Sequence, residues 1–452
     1  MRHPVYETPL PGWIDPPGMA GRLFATAGDA VWLDSGIHAA EGTSCLGFGT
    51  RTLTASVSEN SVTVDGETRP GQVLDFLRED LAGPLPRAGR GFRLGWVGWL
   101  GYELHAQTMG VTSAHRSRYA DARLLFVDLA IVFDHAARSA MVIGLDSSEV
   151  DRLRDRVVGL GDTAQIAVRA AGPVTAEAVW ADTDDEYLRM IRDCQSAITA
   201  GDAYQLCLTT EVRVAVTPDP FDTYLALRAS NPSHHGAFFR AGQVSLLSSS
   251  PEVFLTVAPD GTVESQPIKG TRRRGDTEES DAELAAELLA SDKERAENLM
   301  IVDLMRNDIG RVSEVGSVNV PRLLAVETYA HVHQLVSTVR GSLATGLVGI
   351  DAVSACFPAG SMTGAPKHSA VSILDRLENR ARGVYSGAFG YFGLDGRIEL
   401  SMVIRSILLD ADGASVGTGG GITALSEPVE ELAEAKLKAA VLLAVLGVPP
   451  SV

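Results

Sequence analysis

Up to about residue 170, apolar residues fall in short runs separated by turn residues rather than at helical spacing. Segments 123–133 and 141–145 read as buried strands joined by a turn at Asp134-His135-Ala136-Ala137. Gly95-Trp96-Val97-Gly98-Trp99-Leu100-Gly101-Tyr102 alternates glycines with large apolar residues, a pattern that marks bulges or close backbone approach within a strand. A small and polar stretch at 161–173 follows a charged helix at 149–158 and predicts a boundary between regions 1–170 and 180–448. Beyond it the period changes. Tyr187, Ile191, Cys194 and Ile198 recur at helical spacing over 184–200, and Gly201 supplies the stop. Residues 204–216 alternate as a strand, and 243–257 read as two strands around Ser248-Ser249-Ser250-Pro251-Glu252. The spacing predicts one long helix over 278–308, with Leu284, Leu288, Ala296, Leu299 and Leu304 on its apolar face. Strands at 386–392 and 398–408, a turn at Gly419-Gly420-Gly421 and a helix over 428–446 complete the chain. Helices and strands are mixed rather than strictly alternating, which predicts an α+β fold.

The chain has 452 residues, 45% hydrophobic and 21% charged, as in ordinary globular proteins. Lys plus Arg is 39 against 57 for Asp plus Glu, a formal net charge of −18. That balance argues against nucleic acid, whose phosphates need a basic footprint, and against anionic membranes. The apolar stretch 124–133 is interrupted by Asp128 and is far short of a membrane span. Cys45, Cys194, Cys207 and Cys356 form neither a disulfide framework nor a zinc motif. The N-terminus lacks the apolar core of a secretory signal. A reduced, cytoplasmic, soluble protein is expected.

Candidate chemistry starts with paired carboxylates. Glu294 and Glu297 share one helix face, as do Glu431, Glu434 and Lys438 on another. Brought together, two such faces would make an oxygen-lined Mg²⁺ site; apart, they are solvated surfaces. Lys269, flanked by Gly270 and followed by Arg272, Arg273 and Arg274, is a candidate nucleophile or an exposed lysine. The arginines could lower its pKa or bind an anion. The loop Gly360-Ser361-Met362-Thr363-Gly364-Ala365-Pro366-Lys367 lacks phosphate-loop spacing, yet can offer N–H groups and a hydroxyl to a carboxylate, or simply start a helix. Glu252, beside Val253 and Phe254, is a candidate general acid or a glutamate at a strand bend.

Together these segments resemble the chorismate-utilising enzyme family, which includes anthranilate synthase component I, isochorismate synthases and aminodeoxychorismate synthase component I. The matching segments run in order: GDAYQLCLTT (201–210), LLSSSPEVFL (246–255), PIKGTRRRG (267–275), ERAENLMIVDLMRNDIGRV (294–312), LVSTVRG (335–341), FPAGSMTGAPK (357–367), YSGAFGYFG (385–393) and GGGITALSEPVEELAEAKLKA (419–439). LDSG (33–36) and GWLGYEL (98–104) extend the likeness more loosely. The resemblance implies two facing antiparallel sheets surrounded by helices. It also implies an N-terminal region over 1–170 packed on a chorismate-binding catalytic domain over 180–448, with the two sharing a core.

Two positions resemble particular members. Isochorismate-forming relatives have Lys where this chain has Gln205, and a glutamine cannot serve as the base that activates water, so ammonia is implied as nucleophile. Anthranilate synthases resemble PIAGT where this chain has PIKGT, and Lys269 points to the aminodeoxychorismate-forming branch. The resemblance then implies Mg²⁺ at Glu297 and Glu434 with Glu294 and Glu431 alongside. It implies anion contacts from Thr271, Thr363, Arg405, Gly419, Gly420, Gly421 and Lys438, with Lys269 as nucleophile and Glu252 as acid. A separate glutamine amidotransferase subunit (component II) would supply ammonia, because no cysteine here sits in a glutaminase-like motif. Anthranilate synthase component I, 2-amino-2-deoxyisochorismate synthase and an inactive chorismate-binding subunit are the alternatives. Many relatives have His where this chain has Gln334, preceded by His333. Segments like Leu33-Asp34-Ser35 line a tryptophan pocket in some relatives, which makes this stretch a candidate for one.

Overall fold

The computed structural model describes residues 4–83, 89, 91–161, 172, 176–329 and 332–449. Two large sheets carry the fold, and their pairings are antiparallel. The first runs through Tyr6–Pro9, Ser139–Gly144, Leu129–Asp134, Thr43–Phe48, Ala30–Asp34, His235–Ala241, Val244–Ser250, Ser406–Asp410, Gly413–Ile422, Gln205–Val214 and Ala178–Trp180. The second runs through Ile268–Arg273, Val332–Ser342, Thr262–Ser265, Val253–Val257, Ile398–Met402, Ala388–Gly393, Gly95–Leu100, Ala122–Val127, Arg51–Ser56, Ser61–Val64 and Glu67–Pro70. The α+β architecture of two antiparallel sheets with surrounding helices is therefore as expected.

Each sheet mixes strands from both ends of the chain. Ala30–Asp34 pairs with His235–Ala241 in the first, and Gly95–Leu100 with Ala388–Gly393 in the second. Of the expected boundary at 161–173, all but Gly161 and Gly172 lies outside the described residues. Trp96 and Trp99 are buried in the second sheet, their indole N–H groups donating to Asp80 (2.9 Å) and the Ala120 carbonyl (3.0 Å). Burial with a satisfied donor makes such residues core anchors, and truncating either to alanine costs about 3–5 kcal/mol. Gly98 lies between them because a Cβ there would fall 2.0 Å from the Arg123 carbonyl oxygen. Helices Pro16–Phe24, Ser147–Leu160, Pro220–Ser230 and Pro428–Val445 bury apolar residues of the first sheet.

Four elements differ from the sequence reading. The apolar run 123–133 breaks at Asp128, where the chain leaves the second sheet for the first. The run 398–408 breaks likewise before Ser406, with Arg405 at φ +51 turning the chain between sheets. The helix expected over 278–308 is two helices, Glu278–Ala290 and Asp292–Gly310, divided at Ser291. Ser291 has extended backbone, and its hydroxyl accepts from the Glu294 N–H, so it caps the second helix. Finally, Gly419, Gly420 and Gly421 belong to strand Gly413–Ile422, paired with Thr209, Leu208 and Cys207, and form no turn.

Candidate active site

The site lies where the edge strand Ile268–Arg273 of one sheet approaches Gln205–Val214 and Gly413–Ile422 of the other. Gly270, at φ +87, interrupts the register between Ile268 and Thr271. Lys269 therefore sits in a bulged strand. A Cβ built at Gly421 would lie 2.3 Å from Gln205 Nε2 and 3.5 Å from Lys269 Nζ, so Lys269 and Gln205 converge on that glycine. Gln205 is 1% exposed, and its Oε1 has no hydrogen-bond partner. A buried acceptor left open costs about 1–3 kcal/mol, which a ligand donor would recover.

Glu252 is buried at the corner between Val244–Ser250 and Val253–Val257. Burial raises its pKa, opposed by a hydrogen bond from Ser361 and by the charge of Lys269. Arg405 is half-buried. Burial lowers its pKa, against the pull of Tyr385 and Glu434. Neither Lys269 nor Arg405 forms an ion pair with any described residue. Both face carboxylates without closing an ion pair: Lys269 acts on Glu252, Glu297 and Glu434, and Glu434 acts on Arg405.

The carboxylates gather at the other wall. Glu294 and Glu297 come from Asp292–Gly310, and Glu431 and Glu434 from Pro428–Val445. A Cβ at Gly270 would meet Glu294 Oε2 at 3.0 Å, and one at Gly420 would meet Glu431 Oε2 at 3.1 Å. Lys293 joins the helices, its Nζ 3.6 Å from Glu431 Oε1. Burial opposes the Lys293 charge, but Glu431, Glu297, Glu294 and Glu434 outweigh it and raise its pKa. Burial raises the pKa of Glu297, with Lys269 opposing and Glu294 adding repulsion. Burial acts the same way on Glu434, but Lys438, then Lys293 and Lys269, bring it below the usual value.

These carboxylates have the hard oxygen donors that suit Mg²⁺, and the repulsion acting on Glu297 is what a divalent cation relieves. As placed, they do not form a group of three ready to hold an ion among the described residues. Glu431 is held by the Ser426 hydroxyl (2.7 Å) and Glu434 by Lys438 (2.7 Å).

Several predicted residues are placed otherwise than expected. Lys438 is spent on Glu434 and on the Gly419 carbonyl (2.9 Å), tying helix to strand. Thr363 is fully buried, and its hydroxyl donates to the carbonyls of Ala359 (3.1 Å) and Gly360 (3.3 Å). Thr271 is exposed, opposite Gln334. Gly419, Gly420 and Gly421 supply space rather than a free N–H cradle: a Cβ at Gly419 would fall 2.2 Å from the Leu208 carbonyl oxygen. The arginine run is paired off, Arg272 with Glu287 and Glu294, Arg273 with Asp276 and Arg274 with Asp281. His333 is locked between Asp281 (2.9 Å) and Thr328 (2.9 Å).

Sequence reasoning missed Lys293. Lys293 directly precedes the Glu294 pair, which was its available signal. Leu33, Asp34 and Ser35 line a separate cavity of about 510 Å³, with His234, Arg397 and Glu399.

The profile of chorismate binding enzymes matches residues 30–444. The chain is 43% identical over 446 residues to aminodeoxychorismate synthase of Streptomyces griseus, covering 94% of this chain and 62% of that protein. It is 37% identical over 417 residues to anthranilate synthase component 1 of Thermus thermophilus, covering 88% of each. The chain thus spans about three fifths of the first of these relatives. The crystal structure of anthranilate synthase component I from Streptococcus pneumoniae superposes with a TM-score of 0.80 at 29% identity, covering 90% of this chain and 92% of that one. With most of its length matched by the profile and its cleft built from the segments that first drew the likeness, the chain belongs to the family of chorismate binding enzymes.

Proposed function

We propose that this chain is the chorismate-aminating component of an aminodeoxychorismate synthase, converting chorismate and ammonia to 4-amino-4-deoxychorismate on the route to 4-aminobenzoate and folate. The observation that carries the reading is the convergence of Lys269 and Gln205 on Gly421. A lysine at 269 with glutamine rather than lysine at 205 is the combination that the resemblance associates with amination. The 43% identity to the Streptomyces griseus enzyme supports it.

In this reading Arg405 takes a carboxylate of chorismate, with Thr271 and the segment around Gly419, Gly420 and Gly421 bounding the ring. Lys269 Nζ, as the free amine, bonds to ring C2 while the 4-hydroxyl leaves as water with a proton from Glu252. A positioned acid at a poor leaving group contributes roughly 10²–10⁴-fold. Ammonia then bonds to C4, the lysine amine departs from C2, and the enolpyruvyl group is retained. Gln205 Oε1 accepts from an ammonia N–H. Glu297 and Glu434, with Glu294 and Glu431 beside them, would hold Mg²⁺, which neutralises substrate carboxylate charge when bound.

Ammonia would come from a glutamine amidotransferase partner. All four cysteines of this chain are buried and free, and burial raises each thiol pKa, which suits packing and not nucleophilic attack. Free cysteines also fit the reducing cytoplasm. The test is the mass of the product from purified chain, chorismate, an ammonium salt and Mg²⁺. We expect 4-amino-4-deoxychorismate, and none from Lys269→Ala. Fluorescent anthranilate from the wild type, or an unimpaired Lys269→Ala, would overturn the assignment.

A further inference from the structure

Behind Gln205 the cleft is backed by a residue that reads in sequence as surface charge. Arg382 follows Asn379-Arg380-Ala381, yet its side chain is 2% exposed. Its guanidinium forks onto Glu378, Nε to Oε2 at 2.8 Å and Nη2 to Oε1 at 2.7 Å. The remaining donors go to two carbonyls, Nη1 to Met362 (2.6 Å) and Nη2 to Cys207 (2.8 Å). Its Cζ lies 4.3 Å from the centroid of the Tyr102 ring. From below, Glu103 accepts from the backbone N–H groups of Arg382 (2.7 Å) and Gly383 (3.1 Å), and the Tyr102 N–H donates to the Gly383 carbonyl (2.8 Å).

Those two carbonyls belong to site segments. Cys207 is two residues beyond Gln205, and its N–H donates to the Thr363 carbonyl (2.8 Å). Met362 follows Ser361, which lines a small cavity together with Glu252 and favours its ionised form. Glu378 adds a further tie, accepting from the Thr209 N–H (2.8 Å) and hydroxyl (3.0 Å). One planar group thus holds the strand carrying Gln205 and the turn carrying Ser361 at a fixed separation.

We propose that Arg382 is a positioning residue that sets Gln205 and the Ser361–Glu252 pair relative to each other, and that Tyr102 and Glu103 of the N-terminal region complete the site by seating it. The proposal rests on the amination reading above. Lysine cannot replace the fork, because it offers one compact ammonium where the structure uses donors in a plane. A misplacement of about 1 Å at reacting groups can cost roughly 10²-fold in rate.

The test compares wild type, Arg382→Lys, Ser361→Ala and the double variant with chorismate, ammonium and Mg²⁺, and follows thermal melting alongside. Arg382→Lys is expected to lower kcat about 10²-fold with KM for chorismate within a few-fold. Ser361 and Lys269 are the groups acting on Glu252, and both favour its ionised form. Loss of the Ser361 hydrogen bond, directly or through Arg382→Lys, therefore moves the alkaline limb of the kcat profile to higher pH. The double variant should shift that limb no further than Ser361→Ala alone. A folded Arg382→Lys chain with wild-type kcat and an unmoved limb, or with only KM changed, overturns the proposal. Should Arg382→Lys fail to fold, Tyr102→Leu and Glu378→Gln replace it: each should show the same pattern at smaller amplitude, and wild-type kinetics in both would overturn the proposal. No turnover in the wild type overturns the amination reading itself, and this inference with it.

Discussion

Gly421 carries no side chain because Gln205 Nε2 lies 2.3 Å from where a Cβ would go. In Gly421→Ala the amide end of Gln205 must swing away, since the strand around residue 421 is held by its ladder to Cys207. We expect kcat for amination to fall at least tenfold with the thermal midpoint little changed. Equal turnover would show that the Gln205 amide is not needed where it stands. Glu252 makes the second prediction at this scale. Its raised pKa keeps it protonated above the range of an ordinary glutamate, so turnover needing the acid persists to higher pH and falls as pH passes that value. Glu252→Gln should lose roughly 10²–10⁴-fold in kcat and with it the alkaline limb, measured as a kcat–pH profile. Lys269, Glu252 and the glutamates were legible in the sequence because they stand in motifs. Arg382 was not, because a lone arginine after a helix gives no periodic signal, and only the packing of Tyr102 and Glu378 around it buries it.

Among the elements, the Ser291 break shows why a good helical pattern misleads. Apolar spacing continues through 278–308, yet Ser291 turns the chain and starts a new helix with Glu294 at its third position. That division orients Glu294 toward Gly270 and Lys293 toward Glu431. Ser291→Ala removes the cap, and we expect a loss of about 1 kcal/mol, read from the urea midpoint. The glycine run 419–421 misled in the opposite sense. Three glycines read as a turn from composition, but the strand needs them because the neighbouring backbone and the site side chains already fill the space. Local propensity predicts what a segment does alone, and these positions are set by what crosses over them. The helix at 184–199 was read correctly because its apolar stripe and its Thr183–Glu186 capping box are both local.

For the whole molecule, the decisive feature is that both sheets are shared between the two ends of the chain. Glu103 couples that arrangement to pH. Burial raises its pKa to about 7, with backbone N–H groups opposing and Asp121 adding to the rise. An unfolded glutamate ionises near pH 4.5, so ionisation favours the unfolded chain as pH climbs from there to about 7. The stability contributed by Glu103 is therefore full below about pH 4.5 and lost above about 7. Relative to wild type, Glu103→Gln should become progressively more stable across that window, by up to roughly 3 kcal/mol, and level off beyond it. Urea midpoints at pH 5, 6, 7 and 8 check this, and a pH-independent difference would contradict it.

The sequence alone determined the elements with their own periodicity and the short motifs in which Lys269, Gln205, Glu252, Glu294, Glu297, Glu431 and Glu434 stand. It did so because amphipathic spacing and short motifs are properties of neighbours along the chain. Tertiary structure alone decided where the chain changes sheets at Asp128 and Arg405, and that Arg382 is buried. Those outcomes depend on strand pairing and on contacts between segments distant in the chain, such as Glu103 with Arg382, whose energies no local window contains.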